Sequence, residues 1–297
     1  MITPLKGRDE LDHGGLEKLI EHILGGGAHG LFLLGTSGEA PSLSHRLRRE
    51  LIGRVCRQVG RRVPVFAGIS DTSFVEAVEL AGHAADAGAH ALVSTPPYYL
   101  PIGQPELAEY IERLVLELRL PLFLYNMPQV AKVEFEPETV NRLTQLDRIA
   151  GIKDSSGNLA YFDKLLEFKR QRPDWSVLVG PEHLLAETVR RGGDGGVNGG
   201  ANVYPRLFVD LFQAAKEGNA SRQDELQTKL LQFGKIYSVG RHASSVIKGM
   251  KCSCSLLGIC DDLMAEPFTR FNPPERERVR AILNSLGLLN ESAAKPS

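Results

Sequence analysis

Residues 63–95 read VPVFAGISDTSFVEAVELAGHAADAGAHALVST, and this stretch decides the fold. It opens on an apolar run, Val63 to Gly68, and closes on another, Ala91 to Thr95. Between them apolar residues recur at helical spacing from Phe74 to Ala87, and Ser73 followed by Glu76 predicts a capping box at the start of that helix. Strand, helix and strand in one stretch form a βα unit of a parallel sheet.

The alternation runs from the first residue to about residue 217. Apolar runs predict strands at Ile2–Leu5, Gly30–Leu34, Val63–Gly68, Ala91–Thr95, Pro121–Tyr125, Arg148–Lys153, Ser176–Gly180 and Gly195–Asn198. Apolar residues at i, i+3 and i+4 predict helices at Leu16–Leu24, Leu47–Val59, Phe74–Ala87, Glu106–Leu118, Glu138–Leu143, Tyr161–Arg170, His183–Arg190 and Val203–Ala215. Eight strands, each followed by a helix, fit an α/β fold of the (β/α)8 TIM-barrel type over residues 1–217. A doubly wound sheet would more often carry six strands and a dinucleotide fingerprint, and no G-x-G-x-x-G opens a helix here. Residues 220–289 hold three further helical patterns, so residues 218–297 are expected to form a C-terminal three-helix extension packed on the barrel. The polar tail NESAAKPS is expected to fray. The first strand is near the lower length limit, so the barrel either closes on a short strand or lacks a few residues upstream.

Composition narrows the function. The 297 residues are 42% hydrophobic and 24% charged, with 35 basic against 36 acidic side chains, which excludes disorder and fibre. A formal charge of -1 supplies no global field for nucleic acid or anionic membrane, and no apolar run approaches a bilayer span. A small-molecule partner and a cytoplasmic location are expected. The arginines at 46, 48, 49, 54, 57, 61 and 62 read as a solvated helix face, since no aromatic residues interleave. Four cysteines suit reduced thiols better than a disulfide framework, and the eight histidines make no ligand spacing, so no metal is expected.

In a TIM barrel, functional groups lie at the C-terminal ends of strands. The second strand runs into Gly35-Thr36-Ser37-Gly38-Glu39, where glycines admit close approach and two hydroxyls beside N–H groups can cradle a carboxylate or phosphate; a ligand-free turn is the alternative. The fifth ends at Tyr125-Asn126-Met127-Pro128, whose tyrosine is otherwise a core residue with a satisfied hydroxyl. The sixth ends at Lys153-Asp154-Ser155. Burial lowers a lysine's pKa from about 10.4 and yields the neutral amine that Schiff-base chemistry needs. Its alternatives are a snorkelling lysine or a pair with Asp154. Six of the nine residues from Gly192 to Gly200 are glycine, so this backbone runs close to something: a phospho-substrate or a neighbouring strand.

With these strand ends in place, the chain resembles the dihydrodipicolinate synthase / N-acetylneuraminate lyase family over nearly its whole length. Five motifs in order carry the likeness: Thr3-Pro4, Gly35-Thr36-Ser37-Gly38-Glu39, Thr95-Pro96-Pro97-Tyr98-Tyr99, Tyr125-Asn126-Met127-Pro128 and Gly151-Ile152-Lys153-Asp154-Ser155. The resemblance implies a (β/α)8 barrel with C-terminal helices, a homotetramer built as a dimer of dimers, and C–C bond chemistry on pyruvate held as an imine, with no external cofactor. It implies Lys153 as the Schiff-base lysine and Tyr125 as general acid/base. Thr36 and Ser37 would hold the pyruvate carboxylate, completed by backbone near Val197, and Tyr99 would be a relay tyrosine that reaches a neighbouring subunit.

Departures bear on the substrate. Synthases of this family carry an arginine for the second substrate's carboxylate where this chain has Val130. Ser155 and Glu182 occupy places where lyase and 2-keto-3-deoxy sugar acid aldolase branches tend to bind hydroxyls, and Asn198, a further substrate-binding candidate, stands with Gly199 and Gly200 where sialic acid lyases often have a serine. The expected activity is therefore a class I lyase joining or splitting pyruvate and a small aldehyde, on a hydroxylated 2-keto acid. The alternatives are dihydrodipicolinate synthase of lysine biosynthesis, with Lys132 or another base replacing the arginine, and a catalytically silent barrel that binds a keto acid.

Overall fold

The computed structural model describes residues 1–289, so the NESAAKPS tail and the end of the 218–297 region lie outside the described residues. The main sheet has seven parallel strands in sequential order: β3 (Leu31–Leu33), β4 (Val65–Gly68), β5 (Ala91–Ser94), β6 (Leu122–Asn126), β7 (Ile149–Asp154), β8 (Ser176–Val179) and β9 (Gly195–Gly196). Phe32, Phe66, Val93, Phe123, Tyr125, Ala150 and Leu178, drawn from six of these strands, meet in one inner apolar cluster. Side chains of β3 and β8 can meet only if the sheet curls on itself, which is the TIM-barrel arrangement expected from the alternation. The opposite faces, Leu92, Leu122, Leu124, Ile152, Val177 and Val179, pack outward in the larger core.

The first expected strand is a correction. Residues 2–4 join no ladder: Pro4 has no N–H, the Ile2 N–H donates to the Asn202 side chain (2.9 Å) and Thr3 Oγ1 donates to the Gly38 carbonyl (2.7 Å). Instead β1 (Leu5–Gly7) pairs antiparallel with β2 (Glu10–Leu11) in a separate hairpin. Between β3 and β9 lies a cavity of about 330 Å3 lined by Met1, Phe32, Phe66, Leu178 and Phe212 among others. The Met1 amine donates to the Phe32 carbonyl at 2.5 Å. Burial, with the charge of Lys153, lowers that amine's pKa to about 5.

The helices follow the expected order: α1 (His13–Gly25), α2 (His45–Val59), α3 (Phe74–Asp86), α4 (Gln104–Glu117), α5 (Pro128–Ala131), α6 (Pro137–Leu143), α7 (Leu159–Gln171), α8 (Leu185–Arg190) and α9 (Pro205–Lys216). The capping box of α3 is half made. Ser73 Oγ accepts from the Glu76 N–H, but Glu76 turns to His45 and the Ser73 N–H donates to Asp71. The arginines of α2 find acids on neighbouring elements, including Arg46 with Asp9, Arg48 with Asp71 and Arg49 with Glu79, and Arg62 just beyond the helix pairs with Glu21. Beyond the barrel come α10 (Ala220–Phe233), α11 (Ser245–Leu256) and α12 (Pro273–Ser285). Their buried residues, such as Leu230, Phe233, Met250 and Leu283, share one core with the barrel. All four cysteines are buried and unpaired. Among the described residues, no helix is long and apolar enough to cross a membrane, and no three His, Cys, Asp or Glu side chains gather as metal ligands.

Candidate active site

Strand alternation alone would not settle which way Lys153 points, because β7 carries an irregularity. Leu122 pairs with Ile149, yet Phe123 pairs with Gly151, so Ala150 is an extra residue and the register shifts by one. After the shift Leu124 faces Ile152 on the outside and Tyr125 faces Lys153 on the inside. Gly151 permits this close fit: a Cβ there would stand 2.4 Å from the Ser176 carbonyl oxygen and 2.6 Å from Phe123.

Lys153 is 9% exposed. Its Nζ lies 4.2 Å from the centre of the Tyr125 ring and 5.2 Å from that of Phe32, an aromatic surround that attracts an ammonium without neutralising it. Asp154, one residue on, points to the other face. Its carboxylate accepts from Asn126 Nδ2 (2.9 Å), the Ser156 N–H (3.0 Å) and Ser156 Oγ (3.0 Å), so it does not serve as the lysine's counter-ion. Burial, opposed by those bonds, leaves the Asp154 carboxyl above its ordinary pKa.

Tyr125 is buried, and its hydroxyl lies 3.2 Å from Thr36 Oγ1. Burial pushes the phenol's pKa up. The nearby charge of Lys153, with hydrogen bonding to Thr36, Ser155 and Lys153, outweighs that and holds it below the ordinary phenol value. A phenol so held gives up and regains a proton more readily than a free one.

The neighbouring loops close around this pair. Thr36 and Ser37 lie in a 3-10 turn, Thr36–Gly38, directly after β3. Ser37 Oγ is 3.3 Å, and Met250 Sδ 3.0 Å, from the point a Cβ on Gly199 would occupy. Ser155 Oγ presses on Gly180, which no side chain could occupy, and Asn198 Nδ2 donates to the Gly180 carbonyl at 3.0 Å. The Val197 N–H is taken by the Val179 carbonyl (2.8 Å). Glu182 turns its carboxylate toward the C-terminal region, accepting from Tyr237 Oη at 2.9 and 3.0 Å and from the Gly200 N–H at 2.5 Å. Burial pushes it up to about 7 despite these bonds.

Three sequence candidates take no part in the contacts just described. Tyr99 is 82% exposed, Val130 is 49% exposed on the short helix α5, and Lys132 Nζ folds back to the Gln129 carbonyl at 3.1 Å. Phe32, Tyr237, Met250 and Lys251 were not signalled by the sequence. The last three belong to the helical extension, where no motif marks proximity to the barrel mouth.

A family model described as the dihydrodipicolinate synthetase family matches residues 1–286. The structure of dihydrodipicolinate synthase from Bacteroides thetaiotaomicron is similar with a TM-score of 0.93 and 50% identity, covering 96% of each chain. A prophage protein of the dihydrodipicolinic acid synthase family from Escherichia coli K12, solved in complex with pyruvate, has a TM-score of 0.91 and 29% identity, covering 97% of this chain and 96% of that one. A probable 2-dehydro-3-deoxy-D-pentonate aldolase, also from Escherichia coli K12, is 32% identical over 283 residues, 94% of this chain and 93% of that protein.

Proposed function

The chain belongs to the dihydrodipicolinate synthetase family of pyruvate-dependent lyases, and we propose that Lys153 holds pyruvate as an imine while Tyr125 moves the protons. The observation that carries this reading is the placement of Lys153 Nζ at the face of Tyr125, whose hydroxyl meets Thr36 Oγ1. The free amine of Lys153 adds to the keto carbon of pyruvate in condensation, or of the 4-hydroxy-2-keto acid in cleavage. Tyr125 relays a proton to the carbonyl oxygen, which leaves as water. In cleavage, the hydroxyl two carbons beyond the imine loses its proton, the C–C bond breaks, and an aldehyde departs. The electron pair enters the imine to give an enamine, which takes a proton at carbon and is hydrolysed to pyruvate and free lysine. Condensation is the reverse. The imine is itself the electron sink, so the chemistry calls for no external cofactor. Pyruvate as partner is supported by the pyruvate complex of the prophage relative.

Thr36 and Ser37, with backbone near Val197, bind the pyruvate carboxylate in this reading. The second reactant is a small aldehyde with a hydroxylated tail. Val130 offers no hydrogen bond to a second carboxylate, whereas Ser155, Asn198 and Glu182 offer polar groups, Glu182 through the acceptor capacity left by Tyr237 and Gly200. A homotetramer with Tyr99 reaching a neighbouring site is part of the same reading, supported by the exposure of Tyr99 and Leu100. Unpaired cysteines favour a cytoplasmic setting.

A second reading, dihydrodipicolinate synthase itself, is favoured by the 50% identity to the protein of that name. The deciding experiment assays pyruvate plus aspartate semialdehyde beside cleavage of 2-keto-3-deoxy sugar acids and N-acetylneuraminate, in wild type and Val130→Arg. Efficient condensation with aspartate semialdehyde in the wild type selects the synthase. Sugar acid cleavage, with condensation gained only in Val130→Arg, selects the aldolase.

A further inference from the structure

We infer that Lys251 and Glu39 are positioning residues that fix the Thr36–Gly38 turn, so that the helical extension sets the grip on the keto acid carboxylate. The inference rests on the role proposed above for Lys153 and that turn. The two side chains form an ion pair with no exposure at all. Lys251 Nζ also donates to the Leu263 carbonyl (2.7 Å), and Glu39 Oε1 accepts from the Ala265 N–H (2.8 Å). One carboxylate at the end of the turn is therefore tied to α11 and to the chain segment after it.

The turn needs such a tie. It is bracketed by Leu34 at φ 58° and Glu39 at φ 57°, two residues with side chains in the left-handed region. Backbone of that kind persists only where its surroundings over-determine it. Within the turn, the Gly38 N–H donates to the Gly35 carbonyl (2.9 Å) and the Glu39 N–H to the Thr36 carbonyl (3.1 Å), so a shift of Glu39 would move Thr36 directly. The residue before Lys251, Met250, places its sulfur at the seam between Ser37 and Gly199. One helix thus touches two sides of the carboxylate pocket. A buried ion pair seldom stabilises more than an apolar pair of the same size, so geometry is the property this pair best accounts for.

The test measures borohydride trapping at Lys153, mapped by peptide mass, against the concentration of pyruvate and separately of acetone, which lacks the carboxylate. It compares wild type, Lys251→Met, Glu39→Gln and the apolar double variant Glu39→Leu/Lys251→Met. In every variant that folds, the half-saturating pyruvate concentration should rise about tenfold or more, while that of acetone stays put. A folded double variant that traps pyruvate like the wild type overturns the inference, as does equal weakening for both carbonyls. Failure of the double variant to fold also overturns it, by making the pair a folding element. Absence of any pyruvate adduct at Lys153 in the wild type would instead overturn the functional reading beneath it.

Discussion

Among the described residues two lysines are buried, and their surroundings are opposite. Lys251, on α11, is fully enclosed, with the Glu39 carboxylate and the Leu263 carbonyl as partners. Lys153, on β7, faces the rings of Phe32 and Tyr125, and among the described residues no carboxylate pairs with it. Burying a polar group is costly unless it is bonded, and Lys251 has an anion and a carbonyl to bond it. Lys153 has a hydroxyl network and aromatic faces, which leave its nitrogen available to form a bond. Burial is common to both; the partner separates a lysine held by an anion from one whose nitrogen is left open to form a bond.

The strongest way to break this comparison is to remove each amine. Lys153→Ala should abolish both turnover and the borohydride adduct with pyruvate while the melting temperature holds or rises, because no ion pair is lost. Lys153→Arg should be equally inactive, since a guanidinium stays protonated. Adduct formation on another lysine, seen by peptide mass, would falsify the assignment. Next in size, Tyr125→Phe keeps the ring beside Lys153 but removes the proposed proton carrier. Turnover should fall by roughly 10²- to 10⁴-fold with folding unchanged, as steady-state rates and a thermal melt would record. Full activity in that variant would make the phenol a mere packing group.

Lys251→Met should keep the Lys153 adduct, formed at higher pyruvate concentration, and lose stability. Leaving Glu39 buried without its cation should cost about 3–5 kcal/mol in a denaturant titration. If Lys153→Met lost as much stability, the contrast between the two lysines would collapse.

The smallest effect concerns Glu182, another ionisable group perturbed by burial. Its folded pKa of about 7 lies above the ordinary carboxylate value of 4.5. The folded protein therefore holds a proton that the unfolded chain has released over that window. This contribution is fully present below about pH 4.5 and is lost as pH rises through about 7, a change of about 3 kcal/mol. Glu182→Gln should flatten the stability profile between pH 5 and 8, measured as denaturant midpoints. A variant whose slope matches the wild type would place Glu182 in a solvated setting.

Much of this was readable from residue order, and the failures have identifiable causes. The βα alternation located the seven sheet strands to within a few residues, because buried parallel strands are written as apolar runs. The first strand was misread because the apolar run containing Ile2 and Leu5 is interrupted by Thr3-Pro4, where side-chain hydrogen bonds replace the ladder. The α3 capping box was only half right because His45, thirty-one positions earlier than Glu76, competes for the glutamate. Similarly, the arginines of α2 read along the chain as a solvated helix face, yet Arg46 and Arg49 take partners from the β-hairpin and from α3.

At the site, residue order places particular groups at strand ends: Lys153 after Ile152, Tyr125 after Leu124, and the Thr36-Ser37 turn after an apolar strand. These are local facts, fixed by period and by motif. Tertiary structure alone decided their direction and company. The one-residue bulge at Ala150 turns Lys153 inward opposite Tyr125, and no count along β7 reveals a bulge, since its cause lies in the pairing with β6. Likewise Glu39 is a motif residue in the sequence, but its cation is supplied by Lys251, two hundred residues away on a helix with no marking of its own. Period and motif report what a residue's neighbours in the chain require of it, whereas a buried charge is settled by whatever the fold brings against it.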